Sequence, residues 1–257
     1  MNIKKAREII TSFISGYIQD TGAEGVVLGL SGGLDSSVTA FLAVEALGRS
    51  SVDLVALPYK TSDPESINDS KMVAEILSIP LTAYDISSPV DEIIELRGEI
   101  DRLRIGNIAA RVRMIFLYDI SAERNRLVIG TGNRSERILG YTTLWGDMAC
   151  AFTPLGGLLK TQERMLAREI GVPEKIITKT PSADLWSEQT DESEMGITYE
   201  TADRIIYGIF DEGKEPEQLI EEGIDRAAVK LLMDRHRQNS FKFRMPPYPE
   251  LNGLELL

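Results

Sequence analysis

Ser31-Gly32-Gly33-Leu34-Asp35-Ser36-Ser37 is the richest chemical run in the chain. Two glycines let backbone N–H groups turn toward one point, a helix opening here adds partial positive charge, and serine hydroxyls add donors. Together they make an anion cradle suited to pyrophosphate. The run lacks the Gly-Lys-Ser/Thr ending of a Walker loop, so it would hold a diphosphate without that lysine. A carboxylate inside an anion cradle makes chemical sense at Asp35 when a Mg²⁺ sits between it and the phosphates. The bland alternative is a glycine turn with a Ser/Asp helix cap. Its position after an apolar run and the complete motif favour phosphate.

Further candidates lie downstream. Thr131 and Glu136 follow another short apolar run, and a second carboxylate would supply the other hard oxygen ligand of a Mg²⁺–triphosphate complex. Glu136 reads equally well as a solvated carboxylate at a helix start. Lys160 opens a helix, where an ammonium can neutralise departing pyrophosphate, although most lysines are simply on the surface. Arg111 and Arg113 are two apart on a helix and therefore point in different directions. Cys150, in an Ala/Phe context, reads as a small buried hydrophobe, and His236 as an exposed helix residue; neither suggests covalent catalysis.

The elements that must position these groups alternate. A helix with apolar residues at helical spacing opens the chain (Ile3 to Ile18). Strands are expected at Gly25–Leu30, Val52–Leu57, Leu81–Asp85 and Leu127–Gly130, and helices at Ser36–Leu47, Ser66–Ser78 and Asn107–Tyr118. This βαβ alternation predicts an α/β fold, a doubly wound parallel sheet with helices on both faces, with ligands beyond the carboxyl ends of the strands. Helices are expected at Thr161–Ile170, Tyr199–Phe210 and Asp225–Ser240. Ser182 to Gly196 is acidic and without periodicity, and the Pro-rich tail from Met245 reads as extended surface chain.

SGGLDSS resembles the signature of the ATP pyrophosphatases with the PP-loop fold. GNIAARVRM (Gly106 to Met114), GTGNRSE (Gly130 to Glu136), GYTTLWGD (Gly140 to Asp147), PLGGLLKTQ (Pro154 to Gln162) and PSADLWSEQTDESEMGITY (Pro181 to Tyr199) resemble, in order, the blocks of the ammonia-dependent NAD⁺ synthetase family. The first motif is shared by the whole superfamily; the later blocks point to this family. The resemblance implies a ligase that amidates deamido-NAD⁺ with ammonia through an acyl-adenylate, releasing AMP and pyrophosphate, with Mg²⁺ as cofactor. ATP would meet Gly29, Leu30, Ser31, Gly32, Gly33, Leu34, Asp35, Ser36, Ser37, Arg113, Thr131, Lys160 and Ser182. Asp35 and Glu136 would hold the metal, and Asp35, Lys160 and Ser182 would carry the chemistry. Arg111, Asp147 and Lys242 would meet the dinucleotide. The resemblance also implies a homodimer and a single domain over 1–257, with a mobile lid at 182–196 and a helical part from 199.

Three positions depart from the family pattern. Leu144 stands where the family usually has lysine, Ala151 where it has aspartate, and Phe241 where it has histidine; Ser182 replaces a threonine but keeps the hydroxyl. All three fall on the dinucleotide side, so a related enzyme amidating a different carboxylate is the alternative. A tRNA-modifying PP-loop enzyme and a nucleotide-binding regulator without turnover are weaker rivals.

The 257 residues carry a formal net charge of −12, which disfavours a broad nucleic-acid surface. One cysteine excludes an internal disulfide and fits a reducing cytosol, so a cytoplasmic location is expected. One histidine excludes most zinc sites, no run approaches a membrane span, and MNIKKAREII does not read as a signal peptide. A glutaminase needs its own nucleophile and domain, so free ammonia is the expected nitrogen donor.

Overall fold

Val26 and Leu28 enter one hydrophobic cluster while Val27 enters another, the period-two alternation of a strand buried on both faces. The computed structural model describes residues 2–186 and 189–250. Four parallel strands, β1 (Val26–Gly29), β2 (Val52–Ala56), β3 (Leu81–Ala83) and β4 (Leu127–Val128), form a sheet in the order β3-β2-β1-β4. The chain winds from β1 outward to β3 and then returns to the other side of β1. That reversal opens a crevice between β1 and β4 at their carboxyl ends.

Helices cover both faces. α1 (Ile3–Thr21) and α2 (Leu34–Leu47) pack together on one face. α3 (Pro64–Leu77) follows β2, and α4 (Ser87–Arg97) and α5 (Arg102–Glu123) cover the face of Val27, Val55 and Val128. After β4 come α6 (Arg134–Leu139), α7 (Lys160–Ile170), α8 (Glu174–Ile177) and α9 (Asp191–Met195). α10 (Tyr199–Ile206), α11 (Pro216–Glu221) and α12 (Arg226–Asn239) complete the chain. α7 packs against α1 and α2, whereas α10–α12 close a separate apolar cluster over Leu139 and Leu159.

The expected alternation is present, with shifted boundaries. α5 is longer than Asn107–Tyr118 because the Asp101 side chain caps it by accepting from the Arg104 N–H at 2.9 Å. α2 begins at Leu34, so Asp35 lies in its first turn rather than before it. The stretch read as aperiodic contains α9, capped by Thr190 and ended by Gly196 at φ 74°; five residues are too few to show a helical period. The expected helix to Phe210 widens at Tyr207–Asp211 into a π-turn. His236 is half-buried rather than exposed, its Nδ1 3.2 Å from the Ile138 carbonyl oxygen and its ring against Phe210. Within the expected lid, Ser187 and Glu188 lie outside the described residues. Among the described residues no helix is long and apolar enough to cross a membrane.

Candidate active site

The turn after β1 is built by close backbone approach. Gly32 adopts φ 76°, and a Cβ there would lie 2.2 Å from the Ser66 carbonyl oxygen, so only glycine fits. Ser31 Oγ and Ser36 Oγ lie 3.0 Å apart, the Ser31 N–H donates to Ser36 Oγ, and the Gly33 N–H donates to Ser31 Oγ at 3.3 Å. Ser37 Oγ donates to the Gly33 carbonyl at 2.7 Å and is fully buried, which turns it into the helix and away from the crevice.

The turn after β4 faces it. Asn133 caps α6, its Oδ1 accepting from the Glu136 N–H at 3.0 Å while its own N–H donates to Glu136 Oε2 at 3.2 Å. Its Nδ2 donates to Asp35 Oδ1 at 2.7 Å, so one side chain joins the two turns. The first turn of α7 is held from outside. The Lys160 N–H donates to Ser135 Oγ at 3.0 Å, the Thr161 N–H to Asp203 Oδ2 at 2.8 Å, and Ser135 Oγ to Asp203 Oδ1. Lys160 is thereby fixed at the mouth of the cradle.

Lys160 is 1% exposed and sits among three carboxylates. Its Nζ donates to Asp35 Oδ2, lies 3.8 Å from Glu136 Oε1 and 3.7 Å from Glu163 Oε2, and stands 5.4 Å from the Tyr199 ring centre. Burial opposes the ammonium, but Asp35, Glu163 and Glu136 outweigh it and hold the proton on. Burial also opposes the charge on Asp35, where Lys160 and hydrogen bonds from Glu163, Lys160 and Asn133 win and keep the carboxyl below its ordinary range. Glu136 is pushed well above that range by burial and then by Asp35, and so is Glu163. With all three ionised, neither oxygen of Glu163 has a hydrogen-bond donor. A proton on Glu163 turns its contact with Asp35 into a hydrogen bond.

Asp35, Glu136 and Lys160 line a cavity of about 1580 Å³ that runs from the cradle to α12. One small-molecule pocket usually occupies about 300–1,000 Å³, so this volume accommodates more than one ligand. Gly29, Leu30, Ser31, Gly33, Leu34, Asp35, Ser36, Arg113, Thr131, Glu136, Lys160 and Ser182 line it, as do Asp147 and Lys242; Gly32 and Ser37 stand behind it. Arg113 donates through Nε to the Leu57 carbonyl at 3.0 Å, and burial lowers its pKa. Ser182 is exposed and its Oγ accepts from the Asp184 N–H at 3.1 Å.

The residues assigned to the dinucleotide divide. Arg111 does not line the cavity; its guanidinium donates to the Leu144 carbonyl at 3.1 and 3.3 Å. Leu144 and Ala151 are also outside the lining, and Ala151 packs against the core beside β4, its N–H donating to the Val128 carbonyl at 2.8 Å. Asp147 accepts from Thr142 Oγ1 and, at 2.7 Å, from the Thr143 N–H, and Lys242 Nζ donates to the carbonyls of Gly140 (2.8 Å) and Thr142 (3.0 Å). They fasten one loop from two sides. Cys150 borders the cavity, but burial, then Asp147, pushes its thiol up to about 11, which leaves no thiolate at neutral pH.

Sequence reasoning passed over Asn133, Ser135, Glu163, Tyr199 and Asp203. Asn133 was legible, since Asn-Arg-Ser-Glu is a capping box. Glu163 and Asp203 carry no signal in a single sequence, because Glu163 matters through Asp35 and Asp203 through Ser135 and Thr161, all distant along the chain.

The NAD synthase family model matches residues 6–246. The NH(3)-dependent NAD(+) synthetase of Chlorobium phaeovibrioides is 43% identical over 253 residues, covering 98% of this chain and 91% of that protein. Among solved structures, NMN synthetase from Francisella tularensis superposes with a TM-score of 0.86 at 31% identity, covering 97% of this chain and 99% of that one. The NH3-dependent NAD synthetase from Campylobacter jejuni, solved with a nitrate ion, gives a TM-score of 0.84 at 33% identity, covering 97% and 100%. Identity of this level across nearly whole chains, together with the family match over residues 6–246, places the chain in the NAD synthase family.

Proposed function

We propose that this chain joins ammonia to the nicotinate carboxylate of deamido-NAD⁺ at the expense of ATP, giving NAD⁺, AMP and pyrophosphate. The observation that carries this reading is Lys160, buried at the meeting of the two turns with Asp35 and Glu136. The substrate carboxylate attacks the α-phosphorus, the bond to the β-phosphate oxygen breaks, and pyrophosphate leaves into the cradle. Ammonia then attacks the acyl carbon, AMP departs with the former carboxylate oxygen, and the nitrogen loses its extra proton. Lys160 and the backbone N–H groups of the Ser31–Gly33 turn stabilise charge on the leaving pyrophosphate. No protein nucleophile is needed, in keeping with the raised Cys150 thiol.

Asp35 and Glu136 fit a Mg²⁺ site. Among the described residues there is no cluster of three or more acidic, His or Cys ligands, and Mg²⁺ bound to a nucleotide uses one or two carboxylates with phosphate oxygens completing its shell. The fit rests on crowding: burial, then Asp35, pushes the Glu136 carboxyl well above its ordinary range, a cost that a cation between the two carboxylates would relieve. When bound there, the metal would neutralise phosphate charge and help align the α-phosphorus.

A second reading has its own support. The family's usual cation and anion are missing at Leu144 and Ala151, and one similar structure is an NMN synthetase. A smaller nicotinate nucleotide as acceptor fits both. Pyrophosphate release by the purified chain with ATP, Mg²⁺ and ammonia, measured with deamido-NAD⁺ and with nicotinate mononucleotide, decides between them. The expected result is preference for deamido-NAD⁺; a reversed preference transfers the assignment, and no release with either removes it. Glutamine supporting turnover in ammonia-free buffer would contradict the ammonia assignment.

The same reading includes a homodimer. Leu96 on α4 and Leu103, Ile115 and Tyr118 on α5 are exposed large apolar side chains, and α5 also carries Arg111, which meets Leu144. Light scattering at micromolar concentration should give twice the chain mass, and Ile115→Glu should lower it toward one.

A further inference from the structure

On the flank of the cradle opposite Lys160 lies a second ion-pair cluster that no step above uses. Asp69 on α3 is 1% exposed, and two lysines hold it. Lys179 Nζ is 2.7 Å from Oδ2 and Lys175 Nζ 2.7 Å from Oδ1. Lys179 also lies 3.4 Å from Ser66 Oγ. Asp69 is part of the cradle's support: a Cβ at Gly32 would come within 2.9 Å of the Asp69 Cβ and 2.2 Å of the Ser66 carbonyl oxygen.

The two lysines differ in where they face. Lys179 lines the cavity, with its side chain 27% exposed, while Lys175 is absent from the lining and 52% exposed to solvent. Asp69 therefore has one cation on the cavity side and one outside. Lys179 can leave it without stranding a buried charge, because Lys175, which also meets the exposed Glu65 at 3.0 Å, stays 2.7 Å from it. The anion expected in the cradle also needs another cation. Lys160 already faces three carboxylates, Lys60 is paired with Asp91 at 2.7 Å, and Lys242, Arg113 and Arg235 are held by backbone carbonyls.

We infer that Lys179 is a second phosphate-contacting lysine, held in reserve on Asp69 and transferred to the β- and γ-phosphate oxygens of ATP, and to the released pyrophosphate, when they occupy the cradle. This rests on the function proposed above for the nature of the anion. Its test does not require turnover.

Calorimetric binding of inorganic pyrophosphate and of AMP to the full chain, with Mg²⁺ present, separates the roles. A charge-assisted contact to phosphate predicts that Lys179→Gln weakens pyrophosphate about ten- to hundred-fold. AMP binding should stay within about two-fold, since AMP has no β-phosphate. Lys179→Arg should recover most of the affinity, and Lys175→Gln should change it less than about two-fold. The double variant Asp69→Asn with Lys179→Gln removes the buried carboxylate together with its partner, so it keeps the test open should the single variant fold poorly. It should show the same selective loss. Unchanged pyrophosphate affinity, equal loss of AMP and pyrophosphate, or no pyrophosphate binding by the wild-type chain overturns the assignment. Selective loss in a chain that releases no pyrophosphate from ATP with any nicotinate nucleotide leaves Lys179 assigned and refutes the proposed function instead.

Discussion

Two ion clusters flank the turn after β1, and their buried charges are opposite. Around Lys160 one buried ammonium faces Asp35, Glu136 and Glu163; around the buried Asp69 stand Lys175 and Lys179, with Glu65 3.0 Å from Lys175 at the exposed edge. The first answers its excess negative charge by holding protons on Glu136 and Glu163. The second lets its two lysines reach solvent, where Lys175 also meets Glu65, and the cavity; they overcome the burial of Asp69, so its pKa falls. Asp35 and Glu136 facing the cavity from one flank and Lys179 from the other set the polarity that a metal-bound polyphosphate would match. Neither cluster explains this alone.

The comparison breaks most completely on its acidic side. Asp35→Ala and Glu136→Ala should each lower pyrophosphate release by at least about 10³-fold, because each removes a metal oxygen ligand and disturbs Lys160. Circular dichroism should be unchanged, since neither side chain belongs to an apolar cluster. Near wild-type turnover in either variant at millimolar Mg²⁺ would mean that the acidic flank does not bind metal. Lys160→Met should cost a smaller factor, about 10² in kcat, with the KM for ATP changed less, if the ammonium acts mainly on the departing pyrophosphate. A loss confined to KM would make Lys160 a ground-state anchor.

How far these clusters could be read from the sequence differs in the same way. Asp35 and Lys160 stand in motifs whose glycines and spacing carry local information, and the strand–helix alternation put Asp35 and Glu136 at one sheet edge. Asp69 lies mid-helix and Glu163 in the first turn of α7, neither in a motif, and their chemistry comes from burial and from partners that folding brings near, Lys179 for Asp69 and Asp35 for Glu163. The parallel sheet followed from apolar runs at βαβ spacing. Short capped helices such as α6 and α9 did not, because side-chain caps rather than periodicity define them. The placement of Arg111 outside the cavity was also invisible: helical spacing separates it from Arg113 but does not say which of the two faces inward.

The basic side should give a smaller effect, read in stability. Asp69→Asn should lower the unfolding free energy at pH 7 by about 1–3 kcal/mol, since a buried carboxylate paired with lysines is replaced by a neutral amide. The pKa of Asp69 is lowered in the folded chain, so its contribution is present above the ordinary value of 3.8 and is lost as pH falls through the folded value. Urea midpoints of wild type and variant should therefore converge on acidification below about pH 4. A difference that persists there would indicate lost packing rather than lost charge.

Glu163→Gln should sharpen the comparison with the opposite sign. Glu163 is fully buried, and burial together with Asp35 raises its pKa well above the ordinary 4.5. An acid with a raised folded-state pKa contributes stability that is fully present below its unfolded value and is lost as pH rises through the folded one. In that window folding must take up a proton, at a cost of up to about 1.4 kcal/mol for each pH unit. Glutamine supplies an N–H donor toward Asp35 without that proton. The variant should therefore melt within about 1 °C of wild type near pH 5 and about 2–4 °C above it near pH 8, the gap widening with pH. Lys160 limits the gain, because an ionised Glu163 would lie 3.7 Å from its ammonium and recover part of the penalty. A variant less stable than wild type at pH 8 would mean that Glu163 is ionised and that Lys160 needs all three carboxylates. The acidic flank would then hold one more negative charge before any metal arrives, and the opposition between the two flanks would be stronger than the protonated form allows.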